Sequence, residues 1–186
     1  MNPTTFLYLF FLIINLTYSQ EFNREITLNN ETPYLVGRIT PEGLTTENYK
    51  AWYNPNYNNY GVDTEMINSV KEELAEYKIL IFMGTWCGDS KREIPRFLKV
   101  LKAAEFPEKN IKIIGVDRRR TNYKKSPNGE EWGLMIQRVP TIIFLKNGKE
   151  TNRIIESPVI SLEADTKVII QGGKYVPNYS KSLHFD

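Results

Sequence analysis

Hydrophobic and polar positions change period several times along this chain, and each change marks an element. Residues 6–16 (FLYLFFLIINL) are almost wholly apolar. That run is shorter than the ~20 residues of a membrane-spanning helix. Small residues follow at Thr17 and Ser19, so residues 1–19 read as a secretory signal peptide, with an uncleaved membrane anchor as the other reading. Residues 34–39 predict a short strand and residues 45–53 a short helix. Residues 54–61 (NPNYNNYG) mix turn residues with tyrosines and predict an irregular loop.

From Asp63 the pattern tightens. Asp63 suits a helix N-cap, and Met66, Ile67, Val70, Leu74 and Tyr77 share one helical face. Residues 78–83 are a continuous apolar run of strand length, which predicts burial on both faces. Ile94, Phe97, Leu98 and Leu101 predict a second helix, and residues 111–116 a strand that Asp117 ends. Two strands joined by such a helix predict a right-handed βαβ unit. A helix is expected over residues 130–137 and a strand over 140–145. Asn147-Gly148 signals a tight hairpin into a strand at 151–155. Ser161 caps a last helix through Ile170, which Gly172-Gly173 stops. The expected class is α/β: a central mixed sheet with helices on both faces, and a loosely ordered tail over 174–186. The chain then divides into 1–19, an extension at 20–62, a domain at 63–173 and the tail.

Composition changes this picture little. Of 186 residues, 41% are hydrophobic and 25% charged, which fits a soluble globular domain. A net charge of +2 gives no argument for nucleic acid. The signal-like segment predicts export to a periplasm or the extracellular space, with membrane association only if that segment is retained. Cys87 is the single cysteine, so no disulfide can form within the chain. His184, the single histidine, lies in the tail, and no Cys/His cluster exists, so no metal or cofactor is expected.

Cys87 sits where a strand gives way to a helix. First-turn amides of a helix have no internal partners, and the dipole adds partial positive charge there. Both favour thiolate over thiol. Lys91 and Arg92 act in the same direction, and Asp89 against it. Ser90 is placed to donate a hydrogen bond to the sulfur.

Trp86-Cys87-Gly88-Asp89-Ser90-Lys91, with Pro95 eight residues after the cysteine and Val139-Pro140-Thr141 ahead of a strand, resembles the thioredoxin superfamily over residues 63–172. The resemblance implies a thioredoxin-like fold. It implies Cys87 as nucleophile, Ser90 at the resolving position, and Pro95 as the kink of the active-site helix. It also implies a cis peptide before Pro140, packed beside Cys87, whose neighbouring backbone pairs with a bound peptide. Trp86, Gly88, Asp89, Val139, Pro140 and Thr141 would then form the substrate groove, with Cys87, Ser90 and Lys91 as the reactive set. Four departures stand out. Ser90 cannot resolve a mixed disulfide. Ile81 replaces the buried carboxylate. Asp89 replaces a proline. No glycine matches the one often found after the last strand.

Three functions remain open. The first is a monothiol exchange protein acting on protein disulfides or a low-molecular-weight thiol adduct, with an outside thiol completing the cycle. The second is a non-catalytic module that binds peptides or proteins in the Trp86/Pro140 groove. The third is a thiol sensor passing through a sulfenic acid. Arg118-Arg119-Arg120 with Lys124-Lys125 reads as a solvated loop face, or as a docking patch for an acidic partner or anionic thiol. Trp52, Tyr53, Tyr57 and Tyr60 read as packing for the extension, or as a groove lining.

Overall fold

The structure is a computed structural model that describes residues 21–29 and 31–180. The expectations for residues 1–19 and His184 lie outside these. Six strands form one sheet in the order β1-β2-β4-β3-β5-β6. They are β1 (Arg24–Ile26), β2 (Tyr34–Ile39), β3 (Tyr77–Met83), β4 (Ile111–Gly115), β5 (Thr141–Lys146) and β6 (Lys149–Ile155). β3 and β4 are parallel, and every other pairing is antiparallel. The helices are α1 (Lys50–Asn58), α2 (Thr64–Asn68), α3 (Lys71–Leu74), α4 (Gly88–Ala103) and α5 (Leu162–Ile170).

Alternation along β3 separates two cores. Tyr77, Ile79, Ile81 and Met83 face one cluster with Ile142 and Phe144 of β5. Phe82 faces the other with Ile114, Val116, Val139 and Ile143. This is the period of two that any strand imposes. All five α-helices contribute buried side chains to the first cluster. The second is covered by the turn-rich segment 118–139, through Leu134 and Ile136, and by Trp86 from the turn before α4.

The expected α/β class, a central mixed sheet flanked by helices, holds, while the helix expected at 130–137 does not form. Gly129, Gly133 and Met135 have φ of 71°, 76° and 49°, which no α-helix tolerates. The Glu131 carboxylate instead accepts from the Ser126 amide at 3.0 Å and closes a local turn.

Three further expectations change. The helix predicted over 45–53 begins at Lys50 and runs on through residues assigned to a loop. Pro55 sits inside it, yet α4 caps its end: the Lys99 ammonium donates to the carbonyls of Asn58 at 2.9 Å and Tyr60 at 2.7 Å. The helix begun at Asp63 is capped as expected, with Met66 N donating to Asp63 Oδ1 at 2.9 Å. It then breaks at Ser69-Val70 into α2 and α3, and Tyr77 opens β3 rather than extending the helical face. The tail is packed as far as residue 180: Tyr175 donates to Asp165 at 2.8 Å, and Asn178 to the Ser157 carbonyl at 3.0 Å.

The hairpin and the last helix follow the reading. Asn147 and Gly148 both have positive φ, 52° and 75°. Ser161 accepts from Ala164 N at 3.1 Å, and Gly172 at φ 67° closes the end of α5. Residues 21–62 supply β1, β2 and α1. β2 pairs with β4, burying Tyr34, Leu35 and Val36. Trp52, Tyr57 and Tyr60 pack against the first cluster and Tyr53 lies within it.

Candidate functional site

Four residues, Gly84 to Cys87, link β3 to α4, and their geometry fixes the cysteine. Cys87 N donates to Gly84 O at 2.8 Å, closing a turn. Cys87 then serves as the N-cap of α4, with φ −93° and ψ 130°. Thr85 Oγ1 accepts from Leu35 N at 3.0 Å, which ties this turn to β2. Gly84 is required by a close approach: a Cβ there would lie 2.6 Å from the Trp86 ring. Trp86 is held at its other side, where Nε1 donates to Val116 O at 2.9 Å.

The segment before β5 completes the site. The Val139–Pro140 peptide is cis, as the resemblance implies. The Cys87 thiol, half-buried, donates to Val139 O at 3.2 Å. Thr141 Oγ1 donates to Arg138 O at 2.7 Å, and Glu156 N to Pro140 O at 2.7 Å. Trp86, Cys87, Val139 and Pro140 therefore come together from two parts of the chain.

The other predicted residues do different things. Ser90 is fully buried and its Oγ accepts from Gly84 N at 3.2 Å, so it braces the turn instead of donating to the sulfur. Lys91 lies half-buried on the first turn, its amide donating to Cys87 O at 3.0 Å. Arg92 is ion-paired with Asp89 at 2.7 Å and with buried Glu93. The Glu93 hydrogen bond, more than that of Asp89, pushes its pKa up. Arg92 and Asp89 are thus engaged with each other. Gly88 is exposed, and a Cβ there would meet nothing within 4 Å. Ile81 is fully buried in the first cluster. An unpaired carboxylate at that depth would cost several kcal/mol.

Sequence reasoning named Lys124 only as part of a basic loop, and did not place it or Tyr123 beside Trp86 and Cys87. Tyr123 lies against Trp86, with ring centroids 5.7 Å apart. Lys124 has φ 60°; its ammonium donates to Gln137 O and stands 5.0 Å from the Tyr123 ring centre. Burial lowers the Lys124 pKa, as does Arg138, while Glu156 and Cys87 oppose the shift. Arg138 is paired with Glu156 at 2.9 Å and lies over the Tyr179 ring. A basic dipeptide in a loop carries no periodic signal that would have placed it beside the site. Within the tract that reads as a docking patch, Arg118 pairs with Glu31, and Arg119 with Asp117 at 2.6 Å.

A groove of about 630 Å³ lies elsewhere, between α1 and α4, with Tyr53, Tyr57, Leu98 and Phe106 on its walls. These tyrosines thus line a groove, but one apart from Cys87.

A family model described as Thioredoxin matches residues 43–164. An H-type thioredoxin of Picea mariana is 30% identical over 103 residues, covering 54% of this chain and 74% of that protein. A solved structure of a Pseudomonas aeruginosa protein of unknown function overlaps 66% of this chain and 69% of its own, with 15% identity and a TM-score of 0.38.

Proposed function

The chain belongs to the thioredoxin superfamily, and from that premise we propose that it performs thiol–disulfide exchange through Cys87 alone. The observation that carries this reading is the placement of a half-buried sulfur at the N-terminus of α4, beside Trp86 and against Val139 O. The Cys87 thiolate attacks one sulfur of a substrate disulfide. A Cys87–substrate disulfide forms, and the other substrate sulfur leaves as a thiolate. An external thiol then attacks the mixed disulfide, takes the substrate sulfur and restores Cys87. Ser90 cannot supply this second step, because a hydroxyl is far too weak an acid. The substrates are protein disulfides or mixed disulfides of a small thiol. Export rests on residues 1–19, whose apolar run and small residues fit a cleaved signal.

The test is incubation of the mature protein with 2-hydroxyethyl disulfide, followed by intact mass spectrometry. One adduct is expected, released by added thiol and absent from Cys87→Ser. The starting mass also reports whether residues 1–19 are removed. A wild-type protein that takes no adduct at neutral pH overturns the exchange reading. It would leave the fold as a peptide-binding module.

A further inference from the structure

Two donors occupy two carbonyls of one short segment. The Lys124 ammonium donates to Gln137 O, and the Cys87 thiol to Val139 O. Those carbonyls are two residues apart, a separation the chain can stretch to at most ~7 Å. The chain neighbours of the donors meet as well: Tyr123 precedes Lys124, Trp86 precedes Cys87, and the two rings lie 5.7 Å apart. The Lys124 backbone is fixed independently of its side chain. Its amide donates to Asp117 O at 2.8 Å, and Asp117 N donates to Lys125 O at 2.9 Å.

We propose that Lys124 is the positioning cation of this site, holding the Cys87 sulfur in its ionised form. The inference rests on the exchange reading above. While the thiol keeps its proton, it satisfies Val139 O. On ionisation that proton leaves to solvent, and the sulfur faces a carbonyl oxygen with no donor between them. An ammonium carries three donors. Lys124 can therefore keep Gln137 O while its charge, which couples electrostatically to Cys87, favours the ionised sulfur. The other charges around the sulfur are partly matched already: Arg138 with Glu156, and Arg92 with Asp89 and Glu93, with Lys91 on the first turn of α4. Lys124 belongs to the 118–139 segment and not to α4, so its charge is independent of the helix N-terminus.

The experiment is the pH profile of Cys87 alkylation by iodoacetamide in the full chain. It compares wild type, Lys124→Gln, Lys124→Met and Lys124→Arg, with Cys87→Ser as the blank. A nearby opposite charge moves an ionisation by about one unit or more. The profiles of Lys124→Gln and Lys124→Met should thus shift about one unit to higher pH, roughly tenfold slower alkylation on the rising limb, and Lys124→Arg should stay near wild type. Lys124→Gln keeps a donor for Gln137 O, so it separates charge from packing if Lys124→Met folds poorly. Superimposable profiles for wild type and Lys124→Gln overturn the role of Lys124. The disulfide adduct is read on the same samples. Its absence from wild type overturns the exchange reading, while the alkylation profiles still decide on Lys124.

Discussion

The Cys87 thiol donates to the carbonyl oxygen of Val139 at 3.2 Å, joining residues 52 positions apart. This bond couples the start of α4 to the segment that leads into β5. Ser90, three residues after the cysteine, is turned inward to Gly84. Cys87 and Ser90 thus have separate duties: Cys87 meets Val139 O, and Ser90 supports the turn.

Ser90→Ala should therefore act on stability and not on the sulfur. It leaves the Gly84 amide buried without an acceptor, at a cost of about 1–3 kcal/mol. The urea midpoint should fall, while adduct formation at Cys87 changes by less than about twofold. Unchanged stability with lost adduct formation would show that the hydroxyl serves the sulfur instead.

Gly115→Val tests whether β2 is an integral strand. A Cβ at Gly115 would lie 2.5 Å from the Leu35 carbonyl oxygen, a backbone atom that cannot rotate away. Forcing β2 and β4 apart should destabilise the protein by about 1–3 kcal/mol or more. Hydrogen exchange should show faster opening of the β2 amides. Wild-type protection in the variant would mean that the pairing of β2 with β4 is dispensable.

Tyr34 and Asp117 set stability at both ends of the pH range. Tyr34 donates to Asp117 Oδ1 at 2.7 Å, and Arg119 donates three times to the same carboxylate. Burial alone would raise the Asp117 pKa, but the hydrogen bonds from Arg119 and Tyr34 bring it below the usual range. A depressed carboxylate contributes stability above its unfolded pKa of ~3.9 and loses it as pH falls further. Glu130 is lowered too, with burial outweighed by Ser126, its own amide and Asn128, and it adds to the same acid limb. Tyr34 is pushed up to about 12, by burial first and by Asp117 second. Its contribution is complete below ~10 and is lost as pH rises toward 12. Asp117→Asn should flatten the acid limb of urea midpoint against pH, and Tyr34→Phe should flatten the alkaline limb. Limbs that match wild type in both variants would assign the pH dependence elsewhere.

Tyr123→Ala should loosen the packing of Trp86 without touching the sulfur. Its ring supports Trp86, and an aromatic pair is worth about 0.5–1.5 kcal/mol beyond its buried area. Exchange with a peptide disulfide should slow by roughly two- to tenfold, while exchange with 2-hydroxyethyl disulfide stays near wild type. Equal slowing of both would place the effect on Cys87 itself.

Elements with a strong local cause were legible in the sequence. Asp63 and Ser161 cap their helices, Asn147-Gly148 makes its turn, and the apolar run of β3 lies at the centre of the sheet, because each depends on residues within a few positions. The Trp86-Cys87 turn and the Val139-Pro140 bond were legible through a family pattern. Helix limits that rest on distant partners were not. α1 extends past Pro55 because Lys99 of α4 caps its end, and no spacing within residues 50–58 encodes that.

The sequence by itself determined the strand that precedes Cys87 and the helix that follows it, and that this sulfur has no second cysteine beside it in the chain. Only the tertiary structure decided what surrounds the sulfur. It turned Ser90 inward, placed β2 at the side of β4, and folded residues 118–139 over the second core so that Tyr123 and Lys124 reach the site. Local order follows from propensity and period, which a short window contains. The neighbours of the sulfur follow from how the chain closes over its buried faces, and that depends on residues as far apart as Cys87 and Val139.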